Sequence, residues 1–487
     1  MKLTKSLLLA SVAGFAAVAS AQAADLPSKK AAPVEYVKVC PTYGPGFFYI
    51  PGTQTCLKIG GQARFEYQNM STFRRDADKS GIRSRVMFSM DARNPTEYGL
   101  VRTYGQLGVN RVQGSPISTG SGTRLGYVIN GNAYGASAGQ AGTTSALGSQ
   151  TQVYVEQAFV QIGGFTAGTF NSFYTFGWGN GPYIGIEGQD AGFPASGIAY
   201  SASLGSGITL TASLEDSTNR REALNGVGGI ITSNTPSWTT TATGTGTPAA
   251  ATYTTSLVTN GAVNDYLPDA VVALNVAQSW GSAQLSAAVH ELRDTSRGGA
   301  GASTSGVDYG YAVQGAVRIN LPMLAAGSTL SLAGGYSDGA TNYTMSNVAT
   351  ATGNYNASGG ALQNGGGLNW NVADATVNAA GKFSTMKVWT TGAVLNHFFT
   401  PTVSGWVGGS YTSWDWGSDI AHSATINPGN MLKLTTGVTW TPIAGLSIAN
   451  EVMYSKTDLE QAFTTTNNGA RTKENAMAYR LRIARSF

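Results

Sequence analysis

The sequence predicts an all-β protein, a transmembrane barrel of sixteen antiparallel strands with short turns at one end and long loops at the other. Three observations favour this class: polar and apolar residues alternate in strand-sized segments, short and long connectors alternate, and few residues are charged. Charged residues make up 11% of the chain, against about 25% in soluble globular domains. Alternating lipid-facing and water-facing residues produce such a composition because the two faces average out.

The alternating pattern is clearest in the first predicted strand, Cys56–Gln68. Side chains of a strand point to opposite faces with a period of two, so this segment has one apolar and one polar face. The polar face carries Lys58, Gly60, Gln62, Arg64, Glu66 and Gln68. The last segment, Lys473–Phe487, repeats the pattern with Arg480 and Arg482 on its polar face. Two terminal strands of the same design can pair and close a barrel whose polar faces line water.

The segments between these two supply the other predicted strands. They are Ile82–Arg93, Val101–Arg111, Gln152–Ile162, Phe165–Phe170, Ile198–Leu204, Ile208–Glu215, Asp269–Ser279, Ala283–Leu292, Tyr309–Asn320, Thr329–Ser337, Lys387–Phe398, Thr402–Ser413, Met431–Thr441 and Leu446–Lys456. Aromatic residues at strand ends next to short turns fit the membrane–water boundary: Trp280, Phe398, Phe399, Trp440 and Phe487. An even number of strands with unequal connectors is typical of outer-membrane barrels.

The N-terminus predicts export from the cytoplasm. Lys2 and Lys5 precede the apolar run Leu7–Ala19, and the small residues Ala21 and Ala23 follow, which indicates a secretory signal peptide over residues 1–23. We expect residues 24–55 to form a periplasmic segment and residues 56–487 to form the barrel. No later apolar run reaches the about 18 residues that a membrane helix needs. The predicted location is therefore the outer membrane of a Gram-negative bacterium, in contact with its lipid and lipopolysaccharide.

The residues that could carry other chemistry are few. Cys40 and Cys56 are the two cysteines, and in an exported chain they are predicted to form one disulfide. The net charge of +4 does not indicate nucleic-acid binding. The sequence has no phosphate-cradling loop, metal-binding cysteine pairs or nucleophile elbow, and His290, His397 and His422 show no ligand spacing. We therefore expect no enzymatic activity, no metal and no cofactor.

Three stretches resemble the alphaproteobacterial general porins. CPTYGPGFFYIPGTQTCLKIGG at residues 40–61 is similar to the opening of that family, and GGFTAGTFNSF at 163–173 to the stretch before its third external loop. YRLRIARSF at 479–487 is similar to the end that outer-membrane assembly machinery reads, which gives Phe487 that role. The resemblance implies a homotrimer of water-filled barrels that pass small hydrophilic solutes and ions passively. It also implies that the third loop folds into the barrel.

The polar strand faces predict a basic wall at the channel waist. Pairing of the first two strands across residues 69–81 would set Arg64 opposite Arg85 and Glu66 opposite Arg83. The last strand, closing against the first, would add two more guanidiniums to this wall. The predicted basic wall is thus Arg64, Arg83, Arg85, Arg480 and Arg482, and other predicted lumen-lining residues are Lys58, Gln62, Glu66, Arg93 and Arg102.

The loop Asn171–Gly197 is predicted to compensate this wall. It begins where the third loop of the family enters the barrel, its glycines permit tight curvature, and it carries Glu187 and Asp190. Acidic loop residues facing basic wall residues would set a transverse field across a narrow waist. Such a field orients water and tunes ion preference through the balance of charges.

Two other functions stay open at this point. A substrate-specific channel, for sugars as an example, would need an aromatic track, which could be formed by Trp389, Trp406, Trp414 and Trp416. We interpret these rings instead as aromatics of the membrane interface and the loops. A barrel used as an adhesin or receptor would be plugged or narrow and would not conduct.

Strand four predicts a protein contact. Whichever way it faces, it would present polar residues outward, either Tyr154 and Glu156 or Gln157 and Gln161. Lipid-facing bands need apolar residues, so we expect this strand to face a neighbouring subunit of the homotrimer. The loop at residues 112–151 could then reach over that neighbour.

Overall fold

The computed structural model describes most of the chain after its N-terminal residues. The described residues are 38–71, 80–113, 127–129, 132–134, 150–179, 181–183, 185, 186, 188, 192, 194–221, 267–293, 307–345, 373–377, 382–420, 422, 426–465 and 469–487. The predicted signal peptide, residues 1–23, lies outside these ranges. No helix among the described residues is long and apolar enough to cross a membrane.

Sixteen antiparallel strands form one closed sheet, as predicted. In chain order they are β1 Cys56–Met70, β2 Ser80–Thr96, β3 Gly99–Gln113, β4 Gln150–Ile162, β5 Phe165–Asn171, β6 Pro194–Gly205, β7 Ile208–Glu215, β8 Asp269–Gln278, β9 Gly281–Arg293, β10 Val307–Asn320, β11 Thr329–Asp338, β12 Phe383–Thr400, β13 Val403–Trp416, β14 Gly429–Ile443, β15 Leu446–Thr465 and β16 Gly469–Ser486. Short strands outside this set are Phe48–Tyr49, Tyr127–Ile129, Asn132–Tyr134 and Ala375–Val377, and 3-10 turns are Pro41–Tyr43, Ser217–Asn219 and Thr341–Tyr343.

Pairing of the terminal strands closes the barrel. Each strand pairs with its sequence neighbour, and β1 pairs with β16 in a register that runs from Gln62 opposite Ser486 to Gln68 opposite Arg480. The backbone of Phe487 adds two hydrogen bonds to Gly61, of 3.0 and 3.1 Å. The sheet formed by these described strands therefore has no free edge on which another chain could add a strand.

The two faces of the sheet differ as the alternation predicts. Large apolar side chains on the outer face are exposed, among them Phe88, Leu285 and Val407. Polar side chains on the inner face are buried by their neighbours, among them Glu66, Ser286, Gln314 and Thr412. Apolar groups thus face the lipid and polar groups face the lumen.

The prediction for strand four is wrong because a β-bulge reverses its facing. Gln106 pairs with Gln157, the next pair is Leu107 with Val155, and Glu156 is the extra residue between them. Side chains on opposite sides of a bulge change faces relative to a regular strand. The outer face of β4 is apolar on both sides of the bulge, with Val153, Val155, Val160 and Ile162 exposed. Because the exposed residues of this outer face are apolar, β4 does not indicate a contact with another subunit.

The N-terminal unit, residues 38–56, is stabilised by the predicted disulfide. Cys40 and Cys56 are bonded, with their Cα atoms 6.0 Å apart. Both cysteines are buried against Phe47, and Tyr43 packs its ring edge-on to Phe47 at 5.9 Å. The backbone N–H of Cys40 donates to the carbonyl of Phe47 at 2.9 Å, which closes this small unit.

Candidate functional site

The loop that follows β5 enters the lumen and is anchored at its start to the inner faces of β9 and β10. The carbonyl oxygen of Tyr174 accepts hydrogen bonds from Gln284 Nε2 at 3.0 Å, Ser286 Oγ at 2.9 Å and Gln314 Nε2 at 3.2 Å. The Tyr174 ring is fully buried and packs edge-on to Tyr343 at 4.7 Å. The inward loop predicted from the family resemblance is thus confirmed for its described residues.

Glycines let the loop run close against the wall. The carbonyl of Gly177 accepts from Arg318 Nη2 at 2.5 Å on β10. Gly181 has φ +75°, and a Cβ there would lie 2.9 Å from the Trp406 ring on β13. Gly188 has φ +107°, and a Cβ there would lie 2.9 Å from the backbone nitrogen of Gly392 on β12. Larger residues would be strained at both positions and would push the loop off the wall.

Tyr183 attaches the loop to the last two strands. Its backbone N–H donates to Glu451 Oε2 on β15 at 3.0 Å, and its carbonyl accepts from Arg480 Nη1 on β16. The guanidinium of Arg482 lies over the Tyr183 ring at 4.4 Å, a cation–π geometry. The described part of the loop therefore follows the inner wall from β9 round to β16 and leaves the inner faces of β1 to β4 opposite it.

The predicted basic wall is assembled around one carboxylate. Glu66 is 1% exposed, and its Oε2 accepts from Arg83 Nε at 2.6 Å and lies 2.5 Å from Arg83 Nη2. Arg64 Nε lies 3.4 Å from the same oxygen, and Arg482 Nε lies 4.0 Å from Glu66 Oε1. The predicted proximity of Glu66 and Arg83 is confirmed. The carboxylate of Glu66 therefore offsets part of the wall's positive charge from within the wall.

Neutral acceptors hold the other two arginines of this wall. Arg480 Nε and Nη2 donate to Gln68 Oε1 at 3.0 and 2.5 Å. Arg85 Nε donates to Asn110 Oδ1 at 2.6 Å, and its guanidinium lies over the Tyr154 ring at 5.3 Å. Amide oxygens orient a guanidinium without neutralising it, so most of the positive charge is kept.

The remaining predicted lumen residues lie apart from this wall. Arg93 and Arg102 share the carboxylate of Asp91, with Nη2–Oδ2 distances of 2.8 and 3.0 Å. Gln62 Nε2 donates to Ser486 Oγ at 3.1 Å, and Lys58 is exposed. Arg93 and Arg102 thus form one charged group around Asp91, and the arginines of the basic wall form another around Glu66.

The two acidic residues predicted on the loop, Glu187 and Asp190, lie outside the described residues. A described carboxylate next to these arginines is Glu451, which is the cross-strand neighbour of Arg480 and accepts from Tyr183 N–H at 3.0 Å and from Thr435 Oγ1 at 2.8 Å. A transverse field between loop acids and wall arginines therefore stays a prediction.

Two apolar clusters inside the barrel were missed by the sequence analysis. One joins Ile186 of the loop to Val394, Trp406, Met453, Ala476 and Ala478. The other lies on the loop side of β12 to β15 and contains Met345, Ala373, Met386, Val388, Trp414, Trp416, Ile426, Met431 and Leu459. The sequence signal that could have revealed these clusters is the presence of apolar residues on both faces of β12. On these strands buried apolar side chains interrupt a polar inner face that still carries Thr390, Thr412 and Glu451.

The tryptophan interpretation is wrong for three of the four rings. Trp406, Trp414 and Trp416 are 4%, 2% and 3% exposed and belong to the internal clusters. Trp389 alone fits the membrane interface, with 46% of its surface exposed. Because the three buried rings are covered by loop residues, they do not form an aromatic track along a water-filled path either.

A buried polar group ties the connector between β11 and β12 to the wall. His290 Nδ1 lies 2.8 Å from Asp269 Oδ1, and Tyr343 Oη donates to Asp269 Oδ2 at 2.6 Å. Thr341 N–H donates to Asp374 Oδ1 at 2.8 Å. Burial raises the pKa of Tyr343 well above its usual range. The described residues contain no group of three or more His, Cys, Asp or Glu side chains placed to hold a metal ion.

Comparisons with known proteins place the chain in a family. A sequence model described as "Porin subfamily" matches residues 25–481. Porin Omp2b of Brucella suis is 30% identical over 285 residues, which cover 57% of this chain and 63% of that protein. Porin Omp2a of Brucella ovis is 34% identical over 222 residues, 43% of this chain and 59% of that protein. The matched part thus spans less than two thirds of either relative.

Solved structures support the same fold. The outer membrane channel DcaP of Acinetobacter baumannii has a TM-score of 0.56 and 10% identity, and the match covers 90% of this chain and 99% of that one. At this identity the likeness shows the fold alone. Since the family match covers nearly the whole chain and the sheet closes with sixteen strands, the chain belongs to the porin subfamily and is an outer-membrane β-barrel.

Proposed function

We propose that this protein is a general porin, a water-filled channel through which small hydrophilic solutes and ions diffuse passively. The main support is the charged inner wall beside the inward loop: Glu66 and the arginines of β1, β2 and β16 lie on the lumen side of a closed barrel. Charges on an inner face are stable only where water or counter-charges reach them. A hydrated path along this wall provides both.

The waist of this channel is proposed to lie between the basic wall and the inward loop. Five guanidiniums stand on the wall side, and Tyr183 fixes the loop beside two of them through Arg480 and Arg482. With Glu187 and Asp190 on the loop, opposite charges across the opening would form the transverse field. Confinement between low-dielectric walls would preserve part of this field against screening over about 8–10 Å.

A non-conducting barrel is the second candidate, and the internal apolar clusters favour it. They replace water along β12 to β15 with packed side chains such as Trp414 and Met386, which narrows the open section. A sugar-specific channel has less support, because Trp406, Trp414 and Trp416 are buried. One cluster reaches Ala476 and Ala478 of β16, but the residues of both clusters lie outside β1 and β2, so we favour a narrowed but open path.

Single-channel recording of the purified protein in planar lipid bilayers tests the proposal. A general porin gives large conductance steps that sugars do not block. Steps that close on addition of a sugar would indicate a substrate-specific channel. No steps at all, from protein whose folding is confirmed by its heat-dependent gel mobility, would indicate a non-conducting barrel.

We propose a homotrimer as the assembly, with the contact on the outer faces of β15 and β16 instead of β4. Outward-facing Tyr479 donates to Asn450 Oδ1 at 2.7 Å, and Tyr454 donates to Asn475 Oδ1 at 3.1 Å. Buried inward neighbours such as Glu451 fix the outward facing of these residues. Amide and phenol groups are costly against lipid, so this surface of β15 and β16 fits contact with another protein subunit.

The expected gel pattern checks the assembly. Unheated protein should migrate near three times the monomer mass and heated protein at the monomer mass. Asn450→Leu with Tyr479→Phe should lower the temperature at which the large species disappears, whereas Val407→Leu on the outer face of β13 should leave it unchanged. A well-behaved monomer in mild detergent would contradict the proposal.

Two further contacts are proposed from position alone. The Phe487 ring is 70% exposed at the end of the chain, where assembly machinery can read it. Exposed apolar side chains of the outer face, such as Phe88 and Leu285, would contact membrane lipid. Lipopolysaccharide would cover the end that carries the long loops.

A further inference from the structure

The connector between β11 and β12 folds into the barrel in its described parts, residues 339–345 and 373–377. Every side chain that the structure describes from 340 to 345 and from 373 to 376 is buried. The first segment shares an apolar cluster with inward-facing residues of β8, β9 and β10, and the members are Ala340, Tyr343, Val271, Ala288 and Ala312. Met345 and Ala373 belong to the cluster that contains Trp414 of β13. Since the two segments connect β8 to β13 on the inner side, we call them the strap.

Buried polar contacts anchor the strap. Tyr343 Oη donates to Asp269 Oδ2 of β8 at 2.6 Å, and the guanidinium of Arg220 lies over the Tyr343 ring at 4.3 Å. Asp374 Oδ1 accepts from the Thr341 N–H at 2.8 Å and from Thr341 Oγ1 at 2.5 Å, which joins the two segments of the strap to each other. Hydrogen bonds to a carboxylate are about twice as strong as those between neutral groups. The position of Tyr343 is therefore determined by the wall and by the rest of the strap.

The strap meets the inward loop through a pair of rings. Tyr174, near the start of that loop, packs edge-on to Tyr343 with the ring centroids 4.7 Å apart and the ring planes at 65°. Both rings are buried and belong to the same apolar cluster. The carbonyl of Tyr174 is held by side chains of β9 and β10. The wall thus fixes the backbone of the loop at this point, and the strap covers its ring.

We infer that Tyr343 is a positioning residue for the channel: the strap holds Tyr174 in place and so sets the path of the inward loop. This inference rests on the proposed channel function, because the inward loop borders the proposed waist. Two segments that stabilise each other through one contact are coupled, and the coupling acts equally in both directions. Loosening the external strap therefore loosens the loop at the waist, and loosening the start of the loop loosens the strap by the same factor.

The test is the rate at which a small water-soluble maleimide labels a buried cysteine, since labelling requires local opening. Ser172→Cys reports on the start of the inward loop and Thr344→Cys on the strap, and both positions are buried in the native protein. Tyr343→Leu should raise labelling at Ser172→Cys about tenfold, because it removes an aromatic pair. Tyr174→Leu should raise labelling at Thr344→Cys by the same factor.

Two more readouts separate positioning from a general loss of stability. Tyr343→Phe keeps the ring pair and loses only the hydrogen bond to Asp269, so its effect at Ser172→Cys should be smaller than that of Tyr343→Leu. In single-channel recordings, Tyr343→Leu should increase the current noise of the open channel, since the loop beside the waist moves more. Heat-dependent gel mobility confirms that each variant forms a folded barrel.

Tyr336→Leu is the matched control. Tyr336 also lies beside a tyrosine, Tyr311 at 6.1 Å, but on the outer face of the same pair of strands, β10 and β11. The control should leave both labelling rates unchanged. A rise confined to the segment that carries the substitution, or an equal rise in the control, would overturn the coupling while leaving the channel in place. Labelling needs no current, so a chain that gives no conductance overturns the proposed function, and the labelling rates still decide the role of the strap.

Discussion

At the scale of single residues, Glu66 has the largest effect on the proposed waist. Its carboxylate is 1% exposed and contacts Arg83 at 2.5 Å, with Arg64 and Arg482 within 4.0 Å. The alternation of polar residues predicted that these side chains share a face, and the pairing of β1 with β2 predicted which ones meet. The bulge that turns Tyr154 inward had no sequence signal, because either facing of β4 gave polar residues outside.

Removing this carboxylate should destabilise the barrel. Glu66→Gln leaves buried guanidiniums without their counter-charge, and breaking a buried pair costs about 3 kcal/mol or more. Urea unfolding in detergent should show this loss. Glu66→Gln with Arg83→Gln should lose less, because both partners are removed, and the exposed Glu97→Gln should change nothing. Equal stability of Glu66→Gln and wild type would contradict the role given to this residue.

At the scale of elements, strand positions were predictable and their inner surfaces were not. The period of two located all sixteen strands, since each must present one apolar face to lipid, although the predicted end of β15, Lys456, falls nine residues before the observed end, Thr465. The sequence could not show that the tryptophans of β13 are buried under loops, because an apolar inward residue such as Trp414 has the same pattern as a lipid-facing one. That distinction depends on contacts with loop residues such as Ile426.

The bulge at Glu156 predicts the labelling pattern of β4. Gln157→Cys should react with a water-soluble maleimide that enters the lumen, whereas Val155→Cys and Val160→Cys should stay unmodified in the bilayer. In a regular strand, positions 155 and 157 would share a face and would react alike. Similar labelling of Val155→Cys and Gln157→Cys would therefore contradict the bulge.

The disulfide should stabilise the N-terminal unit alone. It joins residues 16 apart, and closing a loop of this length stabilises by about 3 kcal/mol in the chain-entropy model. Reduction, or Cys40→Ser with Cys56→Ser, should speed proteolysis of the segment between them without changing single-channel conductance. Intact-mass measurement that finds two free thiols in the native protein would contradict the bond.

At the scale of the whole molecule, the closed barrel and the inward loop together define where a solute can pass. The described loop follows the wall from β9 to β16 through Tyr174, Gly181 and Tyr183. The internal apolar clusters occupy the same side and reach Ala476 and Ala478 of β16, so we propose that the open section lies along the arginines of β1 and β2. Family resemblance predicted that the loop enters the barrel, but its path depends on individual contacts with the wall.

The reversal potential under a potassium chloride gradient tests this account most directly. Glu187→Gln with Asp190→Asn removes negative charge from the loop side and should shift selectivity toward anions. Arg64→Ala with Arg85→Ala removes positive charge from the wall and should shift selectivity toward cations while raising conductance. Opposite shifts in the two double variants are the predicted result. Reversal potentials unchanged from wild type in both would contradict a waist between this wall and this loop.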